Sequence, residues 1–346
     1  MLGKSICGSS NIETEMHSSN SLPYFSIIIL YWNALEYLPR CLQALENQTY
    51  KDFKVILLDN GSQQPLDPAL ITQFSLPDFQ VLVQKENLGF AGGNNHAAQY
   101  GRGEYIIFLN ADAFPSPDWL AQIYDATKRH PNSFFASRLI MANEPEKLDG
   151  EWNVYHTSGL VWRKSHNQPL TQAFPVEKEV FSACAAASIY PRRVFEELGG
   201  FDEDFFSYVE DIDLDFRLQL QGFSCIYLPT AVVHHVGSGS TANRSDFSRY
   251  YGHRNLIWAF VKNMPSFLFW LLLPLQILMN VLYIFAAIFM KKGRLLIKAK
   301  VDAIKGLPAI IRKRKEVQQS RKVSVWKIAR LLDWNPFSPL IKFTFK

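Results

Sequence analysis

Short apolar runs that alternate with helical segments constrain the fold of this 346-residue chain more than any other feature. The run at 25–31 is continuous and rich in isoleucine, which is typical of a strand buried on both faces. Similar runs occur at 53–58, 79–83 and 105–109. Apolar residues at helical spacing follow the first run, where Asn33 is placed to cap a helix. This alternation predicts a parallel α/β sheet.

The pattern is less regular after about residue 139. Residues 152–162 are typical of a hairpin or an irregular segment, and 180–190 is typical of an apolar strand made of small residues. A strand is expected over 225–228. The regular alternation is therefore confined to the first part of the chain.

Basic residues are concentrated near the C-terminal end. The formal net charge of +4 is too small to imply nucleic-acid binding. Residues 291–330 are densely basic and include the run from Arg312 to Lys315. This asymmetry indicates an anionic surface as a partner, most simply a membrane.

The four cysteines are scattered, and none forms a C-x-x-C pair. This spacing predicts neither a disulfide framework nor a zinc site, and it favours a reducing cytosol. Residues 1–20 are polar and lack the apolar region of a signal peptide. We expect a disordered tail over 1–22.

An acidic run places four carboxylates in six positions, at Glu210, Asp211, Asp213 and Asp215, where a helix is expected to begin. A helix N-terminus favours anions, so one interpretation is an acidic first turn on an exposed helix. The other interpretation is a general base held next to a cation or a sugar hydroxyl group. The run alone leaves both open.

Polar residues follow three of the predicted strands. Asp59, the segment 87–95 and Asp112 all fall at the carboxyl ends of strands, where parallel sheets bind ligands. Each could be a turn on its own, because Asp, Asn and Gly favour turns. Three of them on one edge favour a crevice of nucleotide size.

In this order, the motifs resemble those of the family 2 glycosyltransferases of the GT-A fold, particularly the bacterial rhamnosyltransferase-like branch. The resemblance covers about 25–325 and rests on these segments: 31–33, 59–62, 87–94, 109–112, 199–202, 210–214 and His235. It implies a Rossmann-like domain that transfers sugars from nucleoside diphosphates. Residues 23–262 would form this domain, with a donor half at about 23–140 and an acceptor half at about 141–262. Residues 263–346 would form hydrophobic and basic amphipathic helices that associate with a membrane.

The resemblance also implies a metal site. Asp112 would be the carboxylate ligand of a DxD-type motif, and His235 a second ligand, of Mg²⁺ or Mn²⁺. Asn110 stands where a first Asp often occurs, so the donor diphosphate would supply further ligands. His234 competes with His235 for this role.

Ten residues would contact the donor nucleotide. Asp59 would contact its base or ribose, and Arg254 would either neutralise the diphosphate or lie on the surface of a helix at 247–261. The full set is Tyr31, Asn33, Asp59, Asn60, Asn87, Gly89, Gly92, Asn94, Asn110 and Arg254. The glycines would let backbone N–H groups approach the donor.

The resemblance implies a different role for each carboxylate of the acidic run. Asp211 would be the catalytic base, taking the proton of the acceptor hydroxyl group as that oxygen attacks. Glu210 would orient the site or the acceptor. Asp213 would cap the helix or pair with a cation such as Arg217, and Asp215 would be structural.

Residues 267–290 are almost all apolar and long enough to span a bilayer. The donor is cytosolic, and the basic segment should also stay inside, so a single crossing would separate two cytosolic parts. Pro274 is expected to break the stretch. We therefore expect a re-entrant hairpin or an in-plane helix pair, with a buried soluble helix as the alternative.

The sequence thus predicts an inverting, metal-dependent glycosyltransferase at the cytoplasmic face of a bacterial inner membrane. The donor would be dTDP-rhamnose or another sugar nucleotide, and the acceptor a lipid-linked saccharide of a surface polysaccharide. A homo-oligomer is left open. One alternative is a nucleotidyltransferase, which needs a basic glycine-rich loop that 31–34 lack. Another is a membrane-bound scaffold with a decayed site, for which Asn110 is the only indication.

Overall fold

The computed structural model describes residues 14–16, 22–33, 35–64, 66–237, 246–289 and 293–339. Most of the predicted tail, 1–22, and the basic residues at 291–292 lie outside these ranges. The described part of the tail includes a short strand, β1 (Thr14–Met16), at one edge of the sheet.

Eleven strands of the described residues form one mixed sheet, in the order β1-β4-β3-β2-β5-β12-β7-β13-β11, with β6 paired to β13 and β8 to β7. The strands after β1 are β2 (Phe25–Tyr31), β3 (Phe53–Asn60), β4 (Phe79–Gln84), β5 (Tyr105–Asn110), β6 (Ala113–Pro115), β7 (Ser133–Met141), β8 (Leu148–Gly150), β9 (Asn153–Tyr155), β10 (Val161–Arg163), β11 (Lys178–Val180), β12 (Ala187–Pro191) and β13 (Ser224–His235). β9 and β10 form a separate antiparallel hairpin. The hairpin expected at 152–162 is therefore confirmed.

The helices, in chain order, are α1 (Leu38–Glu46), α2 (Pro68–Ile71), α3 (Gly89–Ala98), α4 (Trp119–Arg129), α5 (Arg192–Glu197), α6 (Glu210–Gln221), α7 (Asp246–Asn263), α8 (Ser266–Phe289), α9 (Gly293–Ser320) and α10 (Val325–Leu331). The α/β architecture expected from the alternating apolar runs is confirmed. α6 begins at Glu210, so the acidic run does open a helix.

The central strand β2 explains the isoleucine run. It pairs in parallel with β3 on one side and with β5 on the other. Ile27 and Ile29 belong to one core cluster and Ile28 to a second cluster on the opposite face. Successive side chains of a strand point to opposite faces, so a strand covered on both sides must be apolar throughout.

The predicted parallel pairing is confirmed for β2, β3, β4 and β5, but the sheet as a whole is mixed. β12 lies antiparallel between β5 and β7, while β13 runs parallel to β7. The strand expected over 180–190 is in fact two strands, β11 and β12, which pair with different neighbours. The small residues between them are buried and line the functional edge of the sheet.

The helix cap predicted at Asn33 is also wrong. Asn33 does not cap α1, which begins five residues later, and it adopts a left-handed φ of 52°. The segment 87–95, which alone could have been a turn, is helical from Gly89 onwards. Gly89 has a φ of +73°, and a Cβ there would lie 2.5 Å from the carbonyl oxygen of Phe206. Its small size therefore permits close backbone contact rather than a flexible loop.

The C-terminal helices are joined to the sheet domain by a shared core. One cluster combines Tyr155 and Phe216 of the sheet domain with Leu268 and Leu272 of α8. α8 continues through Pro274, so the break expected there is wrong. α9 packs against both α7 and α8. These helices are thus packed parts of one core and not a loosely attached tail.

Candidate functional site

A cavity lies at the carboxyl edge of the parallel strands. The predicted site residues that line it are Asn60, Asn87, Gly89, Asn110, Asp112, Glu210 and Asp211. Arg163 and the segment 184–186 line the same cavity. The structure therefore brings strand ends from both halves of the sheet to one place, as parallel α/β topology requires.

The amides of Asn60 and Asn87 shape the donor side of this cavity. Asn60 Nδ2 donates to Asn87 Oδ1 at 3.0 Å and to the carbonyl oxygen of Gly89 at 3.1 Å. Asn60 Oδ1 accepts from Leu88 N at 3.0 Å. These bonds tie the end of β3 to the start of α3, so both amides have a structural role besides any contact with a donor.

The other predicted donor contacts lie beside or behind the cavity. Asp59 is buried and accepts from Ser62 N at 2.9 Å, as a turn aspartate does. Tyr31 and Asn33 line a neighbouring depression. Gly92 and Asn94 lie within α3 and do not line the cavity, and Asn94 Nδ2 donates to the carbonyl oxygen of Phe90. Donor contacts of the last two residues stay predictions.

Asp112 and His235 meet at the edge of the sheet. β13 pairs with β6, and Val236 N donates to the carbonyl oxygen of Asp112 at 3.0 Å. His235 Nε2 then lies 3.3 Å from Asp112 Oδ1. Side chains alternate along β13, so His234 points to the other face, and His235 alone of the two faces Asp112.

Asp149 completes this arrangement, although the sequence analysis did not single it out. His235 Nδ1 lies 2.7 Å from Asp149 Oδ2, and the same oxygen accepts from Arg163 Nη1 at 2.5 Å. Burial opposes ionisation of Asp149, but Arg163, His166 and His235 together hold its pKa well below the usual range. Asp149 is therefore a buried anion that connects the histidine to the arginine.

Asp112 and His235 fit a divalent cation that brings ligands of its own. No group of three or more His, Cys, Asp or Glu side chains forms a metal cluster within the described ranges. Asp149 occupies Nδ1 of His235, which leaves Nε2 directed at Asp112. Burial lowers the pKa of His235, but its hydrogen bonds to Asp112 and Asp149 raise it to about 9. A cation at Nε2 would replace a proton there.

Asp211 and Glu210 form the opposite wall. Asp211 Oδ2 accepts from Ala185 N at 3.2 Å, and its Oδ1 accepts from Ile212 N at 2.8 Å. Burial raises the pKa of Asp211 in spite of these bonds and of the Arg163 charge. Glu210 is buried, and its Oε2 has no hydrogen-bond partner among the described residues. Burial and the neighbouring Asp211 raise the pKa of Glu210 well above its ordinary value.

Asp213 and Asp215 point into the protein. Asp213 accepts from Arg217 Nε at 2.9 Å, so the predicted pairing of these two residues is confirmed. It also accepts from Lys262 Nζ at 2.9 Å. Asp215 accepts from Ala183 N at 2.7 Å. The interpretation of the run as an exposed acidic turn is wrong, because both carboxylates are fully buried.

The loop before α6 has an uncommon backbone. Phe206, Tyr208 and Val209 have φ values of 63°, 68° and 74°, a region that residues other than glycine rarely adopt, least of all β-branched ones. Asn255 Nδ2 of α7 lies 2.7–3.0 Å from the carbonyl oxygens of Phe205, Ser207 and Tyr208. α7 thus fixes the loop that positions Asp211.

Arg254 contacts the same loop from outside the cavity. Its Nη2 donates to the carbonyl oxygens of Asp204 and Phe205 at 2.8 and 3.0 Å. Its guanidinium lies 4.1 Å from the ring centre of Trp258 and does not line the cavity. Arg254 thus lies on the surface of α7 in this structure, which is one of its two expected positions, and a contact with the diphosphate stays a prediction.

Sequence comparisons identify related proteins. Residues 26–199 match the family model described as "Glycosyl transferase family 2". The chain is 26% identical over 267 residues to an N-acetylglucosaminyl-diphospho-decaprenol L-rhamnosyltransferase of Mycobacterium tuberculosis, covering 69% of this chain and 84% of that one. It is 28% identical over 236 residues to the O-antigen biosynthesis protein RfbC of Myxococcus xanthus, but this match spans only 18% of the relative.

Solved structures share the fold. GalNAc-T7 with UDP, GalNAc and Mn²⁺ has a TM-score of 0.57 at 16% identity, covering 71% of this chain and 49% of that one. The mannosyltransferase PcManGT from Pyrobaculum calidifontis, with GDP-Man and Mn²⁺, has a TM-score of 0.51 at 15% identity, covering 90% and 87%. The GT-A fold expected from the sequence is confirmed.

Proposed function

The chain belongs to glycosyl transferase family 2, whose model spans residues 26–199, and on this premise we propose that it transfers a sugar from a nucleoside diphosphate to an acceptor hydroxyl group with inversion. One observation carries the proposal: Asp112 and Asp211 line the same cavity. A leaving diphosphate needs a group that holds it, and an attacking hydroxyl group needs a base. Two carboxylates in one cavity, with different partners, can divide these tasks.

Asp112 and His235 are the residues that would hold a divalent cation, Mg²⁺ or Mn²⁺. Such a cation, when bound, stabilises the negative charge of a leaving diphosphate as a Lewis acid. The Mn²⁺ in two structures of the same fold supports this assignment. The contribution of the chain is to orient His235, because Asp149 accepts a hydrogen bond from its Nδ1.

Asp211 acts as the base in this proposal. Its carboxylate takes the proton of the acceptor hydroxyl group while that oxygen attacks the anomeric carbon. The raised pKa of Asp211, caused by burial, makes it a better proton acceptor than an exposed aspartate. Attack from the side opposite the diphosphate inverts the anomeric centre. Glu210 lines the same cavity and would orient the acceptor.

The proposal extends to the substrates. The mycobacterial relative is named as an L-rhamnosyltransferase that acts on a diphospho-decaprenol saccharide. We therefore propose dTDP-rhamnose as the first donor to test and a lipid-linked saccharide of a surface polysaccharide as the acceptor.

The surface of α8 supports association with the cytoplasmic face of a bacterial inner membrane. Residues 266–288 are long and apolar enough to cross a bilayer, with a mean hydropathy of 2.2. One face of α8 carries Leu268 and Leu272 and is buried against the sheet domain. Another face exposes large apolar side chains: Phe267, Trp270, Leu271, Ile277, Leu278, Val281, Leu282, Phe285 and Ile288. Because protein covers one side, we propose that α8 lies in the membrane plane.

The basic residues of α9 divide into two groups. Arg294, Lys298 and Lys305 are exposed and available to anionic lipid. Lys313 donates instead to Asp202 at 2.5 Å, and Arg314 donates to two backbone carbonyl oxygens of 261–264 at 2.6 Å. These two residues attach α9 to the domain, which corrects the expectation that the whole basic run faces lipid.

A donor panel tests the catalytic proposal. The full-length protein, supplied with Mn²⁺, is incubated with dTDP-, UDP- and GDP-sugars, and release of the nucleoside diphosphate is measured with and without a lipid-linked saccharide. We expect one donor to dominate and the product to have inverted anomeric configuration by NMR. Retained configuration would contradict the base assigned to Asp211, and formation of a sugar nucleotide from a nucleoside triphosphate would favour a nucleotidyltransferase.

Vesicle sedimentation tests the membrane proposal. We expect binding to vesicles that contain phosphatidylglycerol, weaker binding to pure phosphatidylcholine, and loss of binding when Leu278 and Phe285 are both changed to Gln. Val176→Gln is the matched control, because Val176 is exposed apart from α8. Protein that stays in the supernatant at low salt would contradict the proposal.

A further inference from the structure

The charges of the cavity do not suit the proposed substrate. Asp112, Glu210 and Asp211 are acidic, and Arg163 is the only lysine or arginine among the described lining residues. A nucleoside diphosphate is an anion, as is the diphosphate of a lipid-linked saccharide. Like charges repel strongly where water is scarce. A substrate diphosphate therefore needs cationic contacts on the protein side as well as any metal.

The backbone of β8 and of the β9–β10 hairpin fixes the position of Arg163 at the cavity. Arg163 ends β10 and lies opposite Asn153 in the hairpin. Its stem crosses Gly150, where a Cβ would come within 3.1 Å of both Cβ and Cδ of Arg163. Such contacts are tighter than ordinary van der Waals packing. A glycine at 150 therefore lets the arginine lie flat across β8.

Asp149 links the Arg163 guanidinium to His235, the predicted metal ligand. Most N–H groups of the guanidinium have no hydrogen-bond acceptor among the described residues. Its Nη1 donates to Asp149 Oδ2, the oxygen that also contacts His235 Nδ1. A guanidinium carries five N–H donors. Over the part of the chain that the structure describes, this is its only hydrogen bond to protein. The side chain is 33% exposed and lines the cavity.

A simpler role is to neutralise Asp149. Asp149 already has His235 at 2.7 Å and His166 at 3.4 Å, and an arginine that only neutralised it could be buried like its partner. The side chain is instead placed at the cavity surface, one carboxylate away from His235. Arginine presents paired N–H groups that match phosphate oxygens.

We propose that Arg163 donates hydrogen bonds to phosphate oxygens of a substrate diphosphate in this cavity. The inference rests on the proposed function. Two sources share the chemistry: the donor nucleotide and the diphosphate of a lipid-linked acceptor. The donor is the nearer source, because Asp149 couples Arg163 to the histidine that faces Asp112.

The first experiment measures binding by calorimetry with full-length protein at saturating Mn²⁺. The ligands are dTDP and dTMP, with UDP and GDP and their monophosphates if dTDP does not bind. For Arg163→Gln we expect affinity for the diphosphate to fall about 10- to 100-fold while affinity for the monophosphate changes little. Arg163→Lys keeps the charge beside Asp149 and should lie between the two. Arg129→Gln is the matched control, since Arg129 pairs with Glu177 outside the cavity.

The second experiment distinguishes the sources. If dTDP binding is unchanged while the KM of the diphospholipid acceptor rises and that of a phosphate-free acceptor does not, Arg163 binds the acceptor diphosphate. If neither diphosphate is affected, or if mono- and diphosphate affinities fall equally, the inference is overturned. It is also overturned if the defect disappears as Mn²⁺ is raised, because Arg163 would then act only through the metal.

Failure of the proposed function has a separate signature. Wild-type protein that binds none of the three nucleoside diphosphates overturns the proposed function and this inference together. If wild-type protein binds a nucleoside diphosphate, and Arg163→Gln equals it both in that affinity and in the KM of the diphospholipid acceptor, this inference alone is overturned.

Discussion

Asp211 and Asp213 are two positions apart on one helix, yet the protein treats their charges in opposite ways. Asp213 is fully buried and receives hydrogen bonds from Arg217, Lys262 and Asn263. Asp211 lines a cavity, receives hydrogen bonds from the backbone N–H groups of Ala185 and Ile212, and has a raised pKa because of burial. A carboxylate whose oxygens already accept hydrogen bonds from buried side chains cannot also accept a proton or a hydrogen bond from a substrate. The comparison separates a structural charge from one available for chemistry.

The largest expected effect is on Asp211. Asp211→Asn keeps the size of the side chain but removes the base, so kcat should fall by roughly 10²–10⁴-fold. Binding of nucleoside diphosphate and Mn²⁺, measured by calorimetry, should be retained. Activity equal to wild type would show that the two aspartates do not differ as proposed.

Asp213→Asn should affect folding instead. It removes the carboxylate charge that pairs with buried Arg217 and leaves Lys262 paired with Asp202 alone, so the free energy of unfolding should fall by about 3–5 kcal/mol. Urea denaturation measures this change. Glu197→Gln is the control, because its pair with Arg193 is exposed and should matter little. A stable, inactive Asp213→Asn protein would reverse the comparison.

The loop clamp should have an intermediate effect on rate. Asn255→Ala removes the amide that holds the carbonyl oxygens of Phe205, Ser207 and Tyr208, so the loop can leave its strained conformation and Asp211 shifts. We expect kcat to fall about 10- to 100-fold, since small displacements of a catalytic group are costly. The KM of the donor should change less than kcat. Asn280→Ala is the control, because Asn280 Nδ2 donates within its own helix.

That experiment also tests whether the clamp acts on Asp211 or only on stability. A lowered melting temperature with unchanged kcat at low temperature would assign Asn255 a purely structural role.

The smallest expected effect concerns pH. Asp211 must be deprotonated to act, so kcat/KM should fall as the pH drops through its pKa, which burial raises above the ordinary aspartate value. The positive charge of Arg163 lowers this pKa. Arg163→Gln should therefore move the acid limb to higher pH, whereas Arg163→Lys should leave it nearly in place. A limb that moves to lower pH would contradict the electrostatic link between these residues.

Much of the sheet could be predicted because its signal is local. β2 and β5 are almost entirely apolar because both of their faces are buried, and β3 and β4 contain shorter apolar runs. Asp112 and His235 could be placed by resemblance, because each lies at the end of such a strand. The prediction that a helix begins at the acidic run is also confirmed, since acidic residues stabilise a helix N-terminus.

The rest could not be predicted because its signal is not local. Asp149 and Arg163 lie in or near three-residue strands, and only the folding of the β9–β10 hairpin against β8 brings them together. α3 has low helix propensity because of its glycines, and contact with Phe206 favours glycine at position 89 alone. The course of α8 through Pro274 depends on its packing against α9 and the sheet domain.

The cluster that joins Tyr155 and Phe216 to Leu268 and Leu272 has a practical consequence for handling the protein. Ile328 and Leu332 belong to the same cluster. A chain cut after residue 262 would expose Phe260 to water and remove the cluster members that α8 and α10 supply. Deleting α8 and the helices after it would therefore remove part of the protein's interior. A shortened form made for purification should retain all of these helices.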